Sequence, residues 1–354
     1  MTQPGSALAP RMGSLRALRP EDPEWLAFVA EAPGVNAFHH PAWLRAVTQA
    51  YGYTTLVLAL GDAGGRVVAG VPLAQVRRPS GRVMVSLPFS DHCPPLARDE
   101  LALRQLARGV RAWASRAGIA IELRGGLPEE EGWTSYPAGV LHLLRLEPGP
   151  AALWGQLKET FRRQIRQARR AGLRVRFSRE AQDLDAFYRL QVATRRRQGV
   201  PVQPRRFLAS VWRECVLEGP GWAAIVETPQ GLPVAASLLL AWNGCVIEKF
   251  QASDAGYWSL KPNQLLIWST IEWSCEQGYR LFDFGRTDPD HQSLQRFKAA
   301  WGAEPAPLRY SSLGRAGVRA SADGRLGGLL RTVIRRSPTL VCRALGELLY
   351  RYAV

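Results

Sequence analysis

The stretch 282–310, FDFGRTDPDHQSLQRFKAAWGAEPAPLRY, gathers residue types that can do chemistry within a short span. Asp283 ends an apolar run, Arg286 follows, Lys298 sits in a short helical segment, and Gly302-Ala-Glu-Pro leads into a further strand. The chain holds 46 basic residues, yet its only lysines are Lys158, Lys249, Lys261 and Lys298, three of them between 249 and 298. An ammonium is a compact charge that burial can tune, whereas a guanidinium stays flat and charged. Lysines kept in so arginine-rich a chain therefore mark 249–298 as a candidate site; retention at an indifferent surface position is the alternative. A carboxylate such as Asp283 can orient a polar group or take a proton, and an ammonium such as Lys298 can stabilise developing negative charge or hold a phosphate. Asp283 could equally cap a helix or pair with Arg286. Arg286 is a candidate phosphate fork that could instead pair with Asp288 or Asp290.

Other chemistries find little support. The five histidines are scattered, and neither CxxC nor zinc-like Cys/His spacing occurs among the five cysteines. The cysteines read as buried thiols in a reducing compartment. His92 lies between Asp91 and Cys93, but adjacent residues on one strand point apart. No P-loop, HExxH or GxSxG is present. No metal and no bound cofactor is expected; an acyl donor would enter as co-substrate.

The elements that must position these residues occur twice. In the first half, strands at 53–60 and 67–76 flank the turn Gly61-Asp-Ala-Gly-Gly65. A third strand at 82–87, a helix at 99–117 closed by Gly118, and a strand at 119–123 follow. In the second half, strands at 222–227, 234–241 and 245–251 precede a helix at 262–276 with Pro262 in its first turn, and a strand at 280–284 follows Gly278. The order β-β-β-α-β thus repeats, and the two glycine caps stand 160 residues apart.

Net charge is +16, and its distribution matters more than its size. Residues 151–200 carry 13 basic against 4 acidic side chains, and 325–354 carry 6 against 1. Such localised charge points to a polyanionic partner. In the first segment Trp154, Leu157, Phe161, Ile165 and Ala168 form a helical stripe, with Lys158, Arg162, Arg163, Arg166, Arg169 and Arg170 on the other faces. A solvated linker face is the plain alternative. The tail shows two apolar stripes, Leu326, Leu329, Leu330, Val333, Ile334 and then Leu340, Val341, Ala344, Leu345, Leu348, Leu349, Tyr352. Arg331, Arg335, Arg336, Arg343 and Arg351 line its polar side. Such helices suit an anionic membrane surface, or they pack on the protein's own body or a second subunit. The N-terminus lacks the apolar core of a signal peptide, and no run of about 18 apolar residues occurs. The expected location is the cytoplasm, peripheral at the inner membrane.

A three-strand meander, helix, strand, short helix and final strand is the order of the GNAT acyltransferase fold. The chain resembles FemAB-type transferases, which carry two GNAT-like halves, together with BioF2-like acetyltransferase-domain proteins. The resemblance is carried by Phe282-Asp-Phe-Gly-Arg286, Phe297-Lys298 with Trp301-Gly302, Leu308-Arg-Tyr310, Leu260-Lys-Pro-Asn263, Leu87-Pro-Phe-Ser-Asp91, Phe161-Arg-Arg and Ala168-Arg-Arg-Ala-Gly172. It implies an α/β tandem GNAT-like fold: two mixed, mostly antiparallel sheets flanked by helices, with a helical C-terminal tail. The implied division is an extension at 1–35, a first half at 36–150, a basic helical connector at 151–215, a second half with the active site at 216–315 and a basic amphipathic tail at 316–354.

The resemblance also implies a reaction, transfer of an acyl or aminoacyl group onto an amine of a cell-envelope precursor, peptidoglycan or exopolysaccharide. Catalysis would fall to Lys298 and Asp283. Phe297, Arg286, Asp91, Arg162, Arg163 and Arg166 would bind substrate, and Lys261, Asn263 and Gln264 would meet the donor at a helix N-terminus. The chain lacks the Q/R-x-x-G-x-G/A turn of coenzyme A users. Acyl-CoA and aminoacyl-tRNA both stay open as donors, with tRNA and an anionic inner membrane as expected partners. The alternative is an inactive GNAT-like module that binds RNA or membrane through its basic helices.

Overall fold

The computed structural model describes residues 14–78, 81–314 and 325–350. The first half supplies β1 (Leu15–Leu18), β2 (Thr54–Gly61), β3 (Val67–Arg78), β4 (Gly81–Val85), the short β5 (Leu96–Ala97), β6 (Ala120–Leu123) and β7 (Thr134–Arg145). The second supplies β8 (Arg174–Ser178), β9 (Gly221–Glu227), β10 (Pro233–Trp242), β11 (Cys245–Ser253), β12 (Leu281–Asp283) and β13 (Glu304–Leu313).

The fold class is as expected, but the two anticipated sheets are joined into one. Its order is β1-β2-β3-β4-β6-β13-β7-β12-β11-β10-β9-β8, with β5 beside β3. The junction is an exchange of strands. The last strand of the chain, β13, pairs antiparallel with β6 of the first half. β7, from the first half, pairs antiparallel with β12 of the second. β7 and β13 then pair with each other, Glu304 opposite Leu143 through Ser312 opposite Thr134. Each half would otherwise end in an unpaired edge beside β6 or β12, a liability that exchange removes.

Two parallel pairs interrupt this mostly antiparallel sheet. β4 meets β6 only from Val83 to Val85, and β11 meets β12 only from Cys245 to Ile247. Beyond those residues the strands part, leaving one splay in each half. Ligands of open α/β sheets commonly bind beyond the carboxyl ends of such strands.

Helices cover the sheet as their sequences dictate. Asp99 caps the helix Glu100–Ala117 by accepting from the Ala102 N–H, and Gly118 closes it in the left-handed conformation. That helix buries Leu106, Val110 and Ala114 on the first half. Pro262–Glu276 buries Leu265, Leu266, Trp268 and Ile271 on the second. The basic connector stripe breaks into two helices, Gly149–Gln156 and Glu159–Arg170, with Ile165 and Ala168 fully buried.

The tail, Arg325–Arg336 and Thr339–Leu349, packs on the helix Asp183–Gln198. Ile334 and Cys342 are buried, Arg206 pairs with Glu347 at 2.6 Å, and Arg196 donates to the Ser337 carbonyl at 2.7 Å. Packing on the protein's own body thus accounts for one side of the tail. Leu326, Leu329, Leu330, Arg351 and Tyr352 of the expected stripes lie outside the described side chains. Among the described residues no helix is long and apolar enough to cross a membrane.

Candidate active site

The two splays face each other across the exchanged strands, and a cavity of about 350 Å³ lies between them. The first half contributes Asp91 and Arg124 just beyond β4 and β6, and the second contributes Glu248 and Lys249 from β11 and Gly285 and Arg286 beyond β12. A larger concavity, near Phe28, Gly65 and Arg66, lies at the outer edge of the first half, away from these groups.

A β-bulge places the two charged residues of β11. Leu238 opposes Phe250 but Leu239 opposes Glu248, so Lys249 is the extra residue. In a regular strand Glu248 and Lys249 would point to opposite faces. The bulge re-aims them, and both line the cavity. Glu248 accepts from the Ser237 hydroxyl at 2.6 Å. Burial pushes its carboxyl above the usual range, against the Ser237 hydrogen bond and the Lys298 charge. Lys249 is buried over the rings of Phe38, Trp43 and Phe250 and pairs with Asp91 at 3.2 Å. Burial lowers its pKa, with Asp91 opposing. Burial alone would raise the Asp91 carboxyl, but Lys249 holds it below the ordinary value.

Asp91 is presented by a strained loop. Leu87 and Phe89 both adopt positive φ, 58° and 62°, a conformation that bulky residues hold only under constraint. The constraint is visible. Ser90 Oγ donates to the Leu87 carbonyl at 2.7 Å, Arg124 Nη1 to the Ser90 carbonyl at 2.6 Å, and Tyr310 Oη to the Asp91 carbonyl at 2.7 Å.

Lys298 and Asp283 come together on the two peptides that flank Gly285 rather than on the open cavity. Lys298 is buried and donates to the Gly285 carbonyl at 2.8 Å. Asp283 Oδ1 accepts from the Gly285 N–H at 2.8 Å. Gly285 has φ +72°, and a Cβ there would lie 3.3 Å from Asp91 Oδ2. Burial lowers the Lys298 pKa, opposed by Glu248, Asp283 and Asp91. The same burial lowers His142, with Lys298 adding to the effect and Asp283 opposing it.

Asp283 has a further partner that sequence reasoning passed over. His92 Nε2 lies 2.8 Å from Asp283 Oδ2. Asn36 Oδ1 accepts from the Phe38 N–H, which turns its amide nitrogen toward His92 Nδ1 at 3.0 Å. Nδ1 is therefore the acceptor, and the neutral ring carries its proton on Nε2, facing Asp283. A hydrogen-bonded line thus runs from Asn36 through His92, Asp283 and Gly285 to Lys298, tying the halves together.

The remaining candidates are dispersed. Arg286 lines the cavity but donates Nε to the Ala138 carbonyl and pairs with Asp288. Gly139 lets it pass, since a Cβ there would sit 2.8 Å from Arg286 Nε. Phe297 packs by Phe161 and Trp301, outside the cavity lining. Arg162 and Arg166 pair with Glu159, and Arg163 is exposed beside them; none lines the cavity. Lys261 stands at the N-terminus of Pro262–Glu276 at φ +62°, with Asn263 and Gln264 in the first turn.

Sequence reasoning passed over Glu248; its place beside Lys249 within the strand CVIEKFQAS was a signal that could have found it, whereas the bulge left none. His92, Arg124 and Asn36 carried no local signal, because their partners lie far along the chain.

The acetyltransferase (GNAT) domain model matches residues 155–298, a span that ends on Lys298. In structure the chain is similar to FemX, with a TM-score of 0.68 and 14% identity over 84% of this chain and 96% of FemX. It is similar to L-PGS from Bacillus licheniformis, with a TM-score of 0.56 and 14% identity over 90% and 99% of the two chains. It is also similar to a tandem GNAT protein from the clavulanic acid biosynthesis pathway, with a TM-score of 0.53 and 15% identity over 84% and 98%. These likenesses support a tandem GNAT fold. No curated protein matches the chain in sequence.

Proposed function

Given that the chain carries a GNAT acetyltransferase domain and is an acyltransferase, we propose that it moves an activated acyl or aminoacyl group onto an amine of a cell-envelope precursor. The reaction would take place in the cavity between the halves. The observation that carries this reading is the buried Glu248, which lines the cavity at the bulge and whose carboxyl feels the Lys298 charge.

The chemistry follows from these groups. A carboxylate with a raised pKa is a better base near neutral pH than an ordinary one. Glu248 takes the proton of the attacking amine as the new N–C bond forms. Negative charge then develops on the carbonyl oxygen. In a trans peptide the C=O and the next N–H point oppositely. Lys298 holds the Gly285 carbonyl, so the Arg286 N–H faces the other way. The ammonium polarises that peptide and strengthens the N–H as a donor to the oxyanion. The bond to the leaving group breaks, and the proton on Glu248 passes to it. Asp283, with His92, fixes the preceding peptide through the Gly285 N–H. Lys298 and Asp283 thus act as positioning residues.

The donor is an acyl-CoA or an aminoacyl-tRNA. Lys261, Asn263 and Gln264 would receive its phosphates at the helix N-terminus, and Arg162, Arg163 and Arg166 would meet a tRNA arm. The tail would dock on an anionic membrane. Leu340 and Leu348 stand 72% and 59% exposed beside exposed Arg336 and Arg343. Tyr350, at the end of the same helix, reaches the cavity wall.

A donor screen tests the reading. Purified protein is incubated with acyl-CoAs or charged tRNAs labelled on the acyl group, with muropeptide or lipid-linked amine acceptors. Transfer from one donor class is expected. Failure of both classes to label any amine acceptor would overturn it.

A further inference from the structure

The tail returns to the active-site cavity. Tyr350, which closes the helix Thr339–Leu349, stands in the cavity wall with Phe89, Gln203 and Phe207. Its ring lies 6.0 Å from that of Phe89, inclined by 31°. Phe89 also meets Tyr51 at 4.8 Å and Phe207 at 5.1 Å. The body of the protein thus holds two sides of the Phe89 ring, and the tail holds a third.

Several contacts fix where this helix ends. Gly346 leaves no room for a side chain against the Val202 carbonyl, one residue before Gln203 of the wall. Cys342 Sγ donates to the Val200 carbonyl at 3.6 Å. Glu347 pairs with Arg206, whose guanidinium lies 5.8 Å from the centre of the Tyr51 ring. Packing along the helix Asp183–Gln198 would already cover the apolar side of the tail. The Tyr350 ring goes further and reaches the loop that carries Asp91.

Phe89 holds φ +62° two residues before Asp91. The hydrogen bonds that restrain this loop act on the carbonyls of Leu87, Ser90 and Asp91, and the Phe89 ring is held by packing alone. A bulky residue keeps such a conformation only where its surroundings over-determine it. The same loop sets Asp91 at 3.2 Å from Lys249. We propose that Tyr350 is a positioning residue: through Phe89 it holds the loop that sets Asp91 against Lys249, so that the C-terminal tail is a working part of the cavity. The link stands on the contacts above, and its effect on turnover rests on the acyl-transfer reading.

The test exploits the scarcity of lysine. The full chain, without any acyl donor, is treated briefly with acetic anhydride, and mass spectrometry reads the rate at each of its four lysines. In the wild type the exposed Lys158 should react fast, and Lys249 and Lys298, each 7% exposed, slowly. Tyr350→Ala removes the ring and frees the loop. Asp91 then no longer holds the proton on Lys249, and the amine becomes both reachable and reactive. Labelling of Lys249 is expected to rise at least about tenfold relative to Lys158, as loss of a packed aromatic ring should allow, with Lys298 unchanged. Tyr350→Phe keeps the ring and should label as the wild type does. Gly346→Ala shifts the tail without touching the ring and should raise Lys249 as well. Transfer assays should follow the same order, with kcat/KM lowered in Tyr350→Ala and recovered in Tyr350→Phe. Labelling needs no donor, so its result is independent of whether transfer is found. Unchanged Lys249 labelling in both Tyr350→Ala and Gly346→Ala would overturn the proposal. An equal rise at Lys298 would do so too, since it marks general loosening, and so would wild-type kcat/KM in Tyr350→Ala.

Discussion

Replacing Lys298 with methionine removes the ammonium while keeping most of the side-chain volume. The Nζ lies 2.8 Å from the Gly285 carbonyl, a charge-assisted bond in a buried setting. A donor aimed directly at an oxyanion contributes about 2.7–4 kcal/mol to catalysis. Lys298 acts one peptide removed, so about half of that is expected, roughly 1.4–2 kcal/mol, or about 10- to 30-fold in kcat. The effect should fall on kcat more than on KM, because the oxyanion exists only near the transition state. Stability changes through two opposed effects. The orphaned carbonyl costs about 1–3 kcal/mol, while loss of a buried ammonium relieves its desolvation. A fall in Tm of no more than a few degrees is therefore expected. Steady-state transfer kinetics and thermal unfolding of the same preparation separate the two. Wild-type kcat in a folded Lys298→Met protein would refute the reasoning. So would a loss of activity that merely tracks the unfolded fraction.

Further outcomes follow from particular residues. His39 is buried, donates Nε2 to the Pro94 carbonyl and accepts the Asn36 N–H, and burial lowers its pKa from 6.5 to about 4. The unfolded chain thus binds the extra proton first on acidification. Stability from this group is complete above pH 6.5 and falls by about 3 kcal/mol as pH drops toward 4; denaturant titrations of His39→Asn across that range should show a shallower acid loss. Gly139→Ala would put a Cβ at 2.8 Å from Arg286 Nε, at φ +153°, and should lower stability by roughly 1–3 kcal/mol, read by thermal unfolding. A Cβ at Gly346 would lie 2.0 Å from the Val202 carbonyl, so Gly346→Ala should loosen the tail and expose it to limited proteolysis. Leu340→Gln with Leu348→Gln should weaken sedimentation with phosphatidylglycerol vesicles without changing Tm; unchanged partitioning would confine the tail to packing.

Much of the fold was legible because local rules set it. The helix at 100–117 follows from Asp99, Gly118 and an apolar stripe, and the strands around Asn243-Gly244 follow from the turn they need. The joining of the sheets was not legible. It depends on β7 and β13, which pair with each other across more than 150 residues, and strand pairing over such distances leaves no periodic mark. The site divides in the same way. Asp283, Arg286 and Lys298 announced themselves by type and neighbourhood, yet the structure sets two of them behind the wall formed by Gly285. Glu248 and Lys249 reach the cavity through a bulge that alternation cannot foresee. The connector arginines drew attention by number, but Arg162 and Arg166 spend their charge partly on Glu159. Arg124 and His92 gain their meaning only from the opposite splay and the exchanged strands.

The pH dependence of kcat for the wild type and for Glu248→Gln bears most directly on the claim that this cavity carries out acyl transfer. Burial holds the Glu248 carboxyl above the ordinary range, and a base works only when deprotonated. Wild-type turnover should therefore rise through an apparent pKa above that of a free glutamate. The Gln variant, still folded and still binding acceptor, should lose that limb and at least about a hundredfold in rate. A Gln variant that keeps both the rate and the limb would place the chemistry elsewhere.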